Sequence, residues 1–154
     1  MPLEFGWEPL DVLLDDGILP MAQRHYDEIA LDKGAVELAI DVDAYVEMEQ
    51  DGRLHIFTAR RDGALIGYIM WFFFFPERYR LTQYCSDHLY WLDPNERNGW
   101  TGYLLWENAL EALPRPCKVQ VRTKLSYEDN RVSLLLQRLG LLPIEMVHSA
   151  YLEE

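Results

Sequence analysis

The sequence predicts one mixed α/β domain across residues 1–154. Three observations carry that expectation. Apolar residues alternate between helical and every-second-residue spacing, in the order helix, helix, three strands, helix, strand, helix, strand. The Asp62-Gly63 pair sits between two strand-like runs, which is the strongest short hairpin signal a sequence offers. The segment "DPNERNGWTG" separates an apolar run from an amphipathic one, as a loop between a buried strand and a helix would.

Taken in order, residues 1–12 hold Trp7, Leu10 and Val12 among acids and read as a packed arm. "ILPMAQRHYDEIAL" places Met21, Tyr26 and Ile29 near helical spacing and reads as a helix. A second helix is "DVDAYVEMEQDG", capped by Asp41 or Asp43 and stopped at Gly52. "RLHIFTAR" alternates, with Leu54, Ile56 and Thr58 on one face. Its hairpin partner is the aromatic run Ala64 to Phe75, which Pro76 ends. That run is shorter than the ~20 residues of a membrane-spanning helix, and its β-branched and aromatic content suits a strand buried on both faces.

The next strand is Leu81 to Leu92, followed by the loop and a helix with Leu105, Ala109 and Leu113 inward. "CKVQVRTKL" alternates as a strand, with Val119, Val121 and Thr123 on one face. "DNRVSLLLQRLG" is a helix with Val132, Leu134, Leu135 and Leu139 as its buried stripe, and "PIEMVHSAYL" reads as a last strand.

Bulk composition narrows the function classes. A net charge of −12 excludes a nucleic-acid backbone as partner, which needs a basic surface. Residues 1–56 carry 14 acids against 3 basic residues, so nearly all the excess sits in the first third. That region is either a solubilising face or a surface that attracts a cationic amine or a basic patch on another protein. Two cysteines, Cys85 and Cys117, imply no disulfide framework and fit free thiols in a reducing cytosol. "MPLEFGWEP" lacks the basic start and cleavage site of a signal peptide. His25, His55, His88 and His148 are scattered and the cysteines far apart, so no metal-ligand spacing arises.

The loop carries the chemistry. A helix start offers unpaired N–H groups and a partial positive charge, and so binds phosphate. In "RNGWTG", Gly99 and Gly102 supply clearance, Arg97 a cation and Thr101 a hydroxyl, while Pro94 closes the strand. A Walker lysine and a dinucleotide-type G-x-G-x-x-G are both absent.

This unit, "YWLDPNERNGWTGYLLWENAL", together with "NRVSLLLQRLGLLPIEMVHSAYL", resembles the GNAT superfamily of acyl-CoA-dependent N-acyltransferases across most of the chain. "LHIFTARRDGALIGYIMWF", "ERYR" and the proline–arginine–glycine pattern of the loop look like GNAT-type proteins encoded by tailed bacteriophages. The resemblance implies a mixed, mostly antiparallel central sheet splayed at strands four and five. It implies acetyl-CoA as cofactor, its pyrophosphate on Arg97, Asn98, Gly99, Trp100, Thr101 and Gly102. The backbone of Trp91 and Leu92 would hold the thioester carbonyl. Three positions depart from the pattern: Trp100 stands where the loop has its first glycine, Leu141 replaces a phenylalanine, and Leu136 replaces a tyrosine acid. The neighbouring Gln137 cannot donate a proton in its place.

Transfer to an amine needs a base and an acid. Asp87 and His88 lie on the strand before the loop, with His88 expected to share a face with Tyr90 and Leu92. Tyr90 and Tyr79 are candidate acids. Cys85 reads as a small buried core residue. His25 and Glu28 lie one turn apart, either lining the acceptor cleft or on a solvated face. Arg122 and Lys124 either meet coenzyme phosphates or are plain surface charges.

Two functions follow. One is an acetyl-CoA-dependent N-acetyltransferase acting in the cytoplasm on an amine of a small molecule or a host protein. The alternative is a GNAT-fold phage protein that docks on a host protein through its acidic third, with little or no transferase activity. A structural virion component is a third option.

Overall fold

The structure, a computed structural model, describes residues 2–124 and 130–152. A five-stranded sheet runs β1 (Leu3–Glu8), β2 (Leu54–Arg61), β3 (Ala64–Phe74), β4 (Tyr84–Leu92) and β5 (Lys118–Gln120), side by side in that order. The first three pairings are antiparallel and β4–β5 is parallel. Helices α1 (Leu10–Asp15), α2 (Ile18–Ile29) and α3 (Val42–Gln50) precede β2, α4 (Thr101–Ala112) joins β4 to β5, and α5 (Arg131–Arg138) follows.

Each face of the sheet has its own core. On one, Phe57, Ile69, Trp71, Cys85 and Leu92 meet Leu105, Trp106 and Ala109 of α4 and Leu136 of α5. On the other, Ile56, Tyr68, Met70 and Trp91 meet Leu10 and Leu13 of α1 and Ile18 and Met21 of α2. Strands buried on both sides explain why β3 reads as a nearly unbroken apolar run.

Several local expectations hold. Asp62 (φ 51°) and Gly63 (φ 81°) make the β2–β3 turn. The Asp41 carboxylate caps α3 by accepting from the Ala44 N–H at 3.0 Å. Leu105, Ala109 and Leu113 are the inward residues of α4, and Cys85 is fully buried.

Others need correction. Residues 1–12 are not an arm: Leu3–Glu8 adds β1 to the sheet edge and Leu10 begins α1. Arg60 fastens them, its guanidinium bonding Glu8 (2.6 Å) and Asp16 (2.5 Å). On α5, Val132, Leu135 and Leu139 pack against the core as expected, but Leu134 is exposed and Leu136 takes its place in the buried stripe. On α2 the inward residues are Ile18, Met21 and His25. "PIEMVHSAYL" forms no strand; Ile144, Met146 and Val147 stand in solvent. Only three residues of β5 pair with the sheet, too short an edge to template another strand. The strand expected to reach Leu125, and the helix start at Asp129, extend outside the described residues.

Candidate active site at the parting of two strands

Strands β4 and β5 pair only over Tyr84–Lys118, Cys85–Val119 and Ser86–Gln120. Beyond Ser86 they part, as a coenzyme slot between strands four and five requires. Asp87 stands at the parting point: its Oδ1 accepts the Arg122 backbone N–H at 2.8 Å, and its own carbonyl accepts from Arg122 Nη2 at 3.0 Å. The carboxylate thus takes an amide that the ladder no longer reaches. Burial raises its pKa to about 6, opposed by that hydrogen bond and the Arg122 charge. Arg122 is accordingly committed to Asp87.

A bulge follows at once. Met70 pairs with Leu89 and Trp71 with Asp87, leaving His88 as the extra residue on β4. The bulge shifts the alternation, so His88 and Leu89 both face the α2 side of the sheet. Tyr90 lies on the other face, against Trp106 of α4 at 5.0 Å between rings. The expectation that His88 shares a face with Tyr90 and Leu92 is therefore wrong, because strict period-two alternation stops at a bulge. Burial raises the Tyr90 pKa, and its ring lies away from His88.

His88 Nε2 lies 2.6 Å from the Tyr45 hydroxyl of α3, with the Phe72 ring 4.4 Å away. Desolvation, then the Arg122 charge, lower its pKa, so the imidazole is neutral at pH 7. His25 is also in this region. It is 4% exposed, its Nδ1 is 3.2 Å from the Tyr68 hydroxyl, and burial lowers its pKa to about 4. Both histidines line a cavity of about 330 Å³ bounded by α1, α2, the connection to α3, and β4, with Lys124 reaching it from beyond β5. His25 is thus buried at the cavity and not on a solvated face, while Glu28 is not among the residues that line it.

At the far end of β4, Arg97 Nε donates to the Leu92 carbonyl at 2.9 Å and its guanidinium makes a two-pronged ion pair with Glu28 of α2. Glu28 also accepts from Trp91 Nε1 at 3.2 Å, and Arg24 lies 5.0 Å from the Trp91 ring centre. The Arg97 pair, followed by the Trp91 bond, outweighs burial and holds the Glu28 carboxyl below its usual range. The Asp93 N–H pairs with Ile66 of β3. By alternation, the backbone groups of Leu92 and Tyr90 turn toward the open edge and those of Trp91 toward β3. Of the two residues expected to present a backbone N–H to a thioester, Leu92 is the one so oriented.

The loop itself turns through a short 3-10 segment, Pro94–Glu96, into α4. The first hydrogen bond that closes α4 runs from the Leu104 N–H to the Trp100 carbonyl (2.8 Å), so the amides before it precede the helix's own bonding. Gly99 takes φ 131° with open space where a side chain would be. Trp100 is 73% exposed and edge-on to Tyr103, so it stands clear of the loop. Gly102 faces the core instead of the loop, and a Cβ there would make only ordinary contacts, 3.5 Å from both Leu92 Cδ2 and the Tyr90 hydroxyl. Thr101 is buried, with Arg61 Nη2 3.4 Å from its hydroxyl and Arg61 paired to Glu96. Tyr79 is exposed and stacks on Tyr84, away from the cavity.

Sequence reasoning missed Tyr45, Tyr68 and Gly67. Tyr45 gives no motif, since its role follows from tertiary contact with His88. Gly67 had a signal, a glycine inside an apolar strand, which marks a close backbone approach. A Cβ there would lie 2.8 Å from Leu92 Cδ1 and 2.9 Å from the Trp91 carbonyl oxygen, so only glycine lets the end of β4 lie where it does.

Among the described residues no cluster of ligating side chains could hold a metal ion, and no helix is long and apolar enough to cross a membrane. No protein-family profile and no curated protein matches the sequence. Solved structures do match in shape. An aminoglycoside acetyltransferase from an uncultured soil metagenomic sample aligns over 99% of this chain and 100% of its own, with TM-score 0.75 and 13% identity. The ribosomal-protein-alanine N-acetyltransferase of Brucella melitensis biovar Abortus aligns over 100% of both chains (TM-score 0.70, 18% identity). Glucosamine-6-phosphate N-acetyltransferase from Arabidopsis thaliana aligns over 99% and 100% (TM-score 0.69, 12% identity). The fold, a mostly antiparallel sheet with β4 and β5 parallel and splayed, is that of the GNAT acetyltransferases.

Proposed function

From a fold shared end to end with acetyltransferases, we propose that this chain is an acetyl-CoA-dependent N-acetyltransferase, encoded by a tailed bacteriophage and working in the host cytoplasm. One observation carries the reading. Strand β4 has a splayed edge leading to a helix N-terminus on one side and, through the His88 bulge, an open-mouthed cavity on the other. Two reactants bound at these places would meet along one strand.

The residues present fit the coenzyme. The amides from Asn98 to Gly102 would hold its pyrophosphate, and the Leu92 N–H would polarise a carbonyl at the open edge. Acetyl-CoA would supply an activated acetyl thioester. The protein's own part is to prepare the amine. His88 is neutral, faces the cavity and can take the ammonium proton, with Tyr45 fixing the ring through Nε2. The apolar lining also disfavours the charged ammonium, which eases that loss. Leu136 lies in the core, so no phenol at that position serves the departing thiol.

Arg97 and Thr101 are both engaged by protein partners, Glu28 and Arg61. That favours, as a second reading, a docking protein without transferase activity. Calorimetry with acetyl-CoA and with acetyl-pantetheine, followed by a thiol-release assay over a panel of amines, separates the two. The transferase reading expects tight binding that depends on the diphosphate, with thiol release. Binding without release from any amine would leave the docking protein, and no binding at all would remove the coenzyme site. The neighbours' acceptors, aminoglycosides, a ribosomal-protein alanine and glucosamine-6-phosphate, are too varied for the fold to choose among them.

A further inference from the structure

The cavity beside His88 carries information about the acceptor that the fold does not. Its lining is almost wholly apolar: Leu14, Ile18, Ile29, Ile40, Met70 and Leu89 represent it, and among the described residues no aspartate or glutamate contributes. The polar groups are two histidines, both neutral at pH 7, two tyrosines and one cation, Lys124. The His88–Tyr45 pair joins β4 to α3 at the cavity wall, and Lys124 reaches the cavity across the splay. A ligand in this space therefore lies next to the open edge of β4.

We propose that the acceptor is a monoamine on an apolar body, an arylalkyl or branched alkyl amine, with its nitrogen at His88. Recognition of a polycationic aminosugar or polyamine calls for carboxylates to pair each ammonium, and an unpaired buried charge is strongly disfavoured. Here Lys124, the one charged group lining the cavity among the described residues, would repel a second ammonium. An apolar skeleton meets matching walls, and burying it supplies affinity without ion pairing. Size agrees: an apolar cavity of ~150 Å³ accepts one benzene, so about 330 Å³ accommodates a bicyclic or arylalkyl skeleton. The single amine enters as a neutral base, or becomes one by passing its proton to His88. This assignment rests on the transferase reading for what becomes of the amine, while its binding claim stands on the cavity alone.

The test titrates the full chain, without acyl donor, with tryptamine, 2-phenylethylamine, kanamycin and spermidine. The arylalkyl amines should bind at least ~10-fold tighter than kanamycin or spermidine. Indole-3-ethanol, which lacks the amine, should compete with tryptamine, because the body carries the affinity. Ala22→Phe, which fills the cavity from α2, should abolish tryptamine binding while keeping the thermal transition and acetyl-CoA binding. Competition by indole-3-ethanol needs no variant and stands if Ala22→Phe does not fold. Tighter binding of kanamycin or spermidine, or tryptamine binding unchanged in folded Ala22→Phe, overturns the assignment. Thiol release then separates the two claims. Acetylation of kanamycin but not tryptamine removes this inference and leaves a transferase. Tryptamine binding with no thiol release from any amine removes the transferase and leaves the pocket as assigned.

Discussion

Replacing Asp87 by asparagine should change how stability varies with pH, in a direction set by the carboxyl's position at the strand parting. Burial lifts the Asp87 pKa to about 6, against about 3.9 for an unfolded aspartate. The folded chain therefore holds this proton more tightly than the unfolded one. Its contribution to stability is fully present below about pH 4 and is lost as pH rises through 6. At about 1.4 kcal/mol per pH unit, ionising the buried carboxyl costs about 3 kcal/mol at pH 7 and about half that at pH 5.

Asparagine matches aspartate in shape, keeps an acceptor for the Arg122 N–H and does not ionise. The stability of Asp87→Asn relative to the parent should thus be about 1 kcal/mol more favourable at pH 7 than at pH 5. His25 and His88 act in the opposite sense. Their lowered pKa values give stability present above about 6.5 and lost as pH falls, through about 4 for His25. Both are shared by variant and parent, so they cancel in the difference. Urea unfolding followed by tryptophan fluorescence at pH 7 and pH 5 measures it. A difference that is the same at both pH values, or larger at pH 5, would refute the placement of a buried, proton-holding carboxyl at the parting.

Gly67→Ala should push the end of β4 off β3, because the new methyl meets the Trp91 carbonyl. Overpacking of ~1–3 kcal/mol, at ~2–4 °C per kcal/mol for a chain this size, predicts a clear drop in Tm, and an unchanged Tm would contradict the register. His88→Asn should slow thiol release ~10²- to 10⁴-fold while leaving acetyl-CoA affinity alone, and an undiminished rate would remove His88 as the base. The acidic first third should steer a protonated amine toward the cavity, so Asp43→Lys with Glu47→Lys should slow amine association by up to ~10-fold at low salt. That effect should vanish at high salt, and a rate indifferent to both changes would leave these acids a solubilising face. Asp41 and Glu49 are poor choices for this test, since Asp41 caps α3 and Glu49 accepts the Leu10 N–H of α1.

What the sequence revealed followed the range of the forces involved. The Asp62-Gly63 turn, the Asp41 cap and the inward stripe of α4 depend on neighbours within a turn or two, and each could be read from spacing alone. The splay was legible through the loop, because "RNGWTG" has no use without an open edge beside it. β1 was hidden because Leu3–Glu8, interrupted by Gly6 and flanked by Pro2 and Pro9, gains its strand character from the β2 edge rather than from its own residues. The His88 bulge leaves no trace in the order of residues, since it exists only as a mismatch in count between β3 and β4. The cavity draws on segments from Leu10 to Lys124, so no local pattern announces it. Arg97 stood out as a cation in the loop, but its pairing with Glu28, 69 positions away, left no local sign.

The two cores on opposite faces of the sheet have a consequence for how such a chain changes over generations. Substitutions on α2 or at Met70 and Leu89 reshape the lining of one face, while Leu105, Trp106 and Ala109 hold the other. Beyond the bulge at His88, β4 is shared between the two: Leu89 and Trp91 pack with the first face, Tyr90 and Leu92 with the other. Changes at the cavity-lining positions therefore leave the loop before α4 untouched as long as Arg24 and Glu28 of α2 keep their pairs with Asp93 and Arg97, and an engineer can follow the same route.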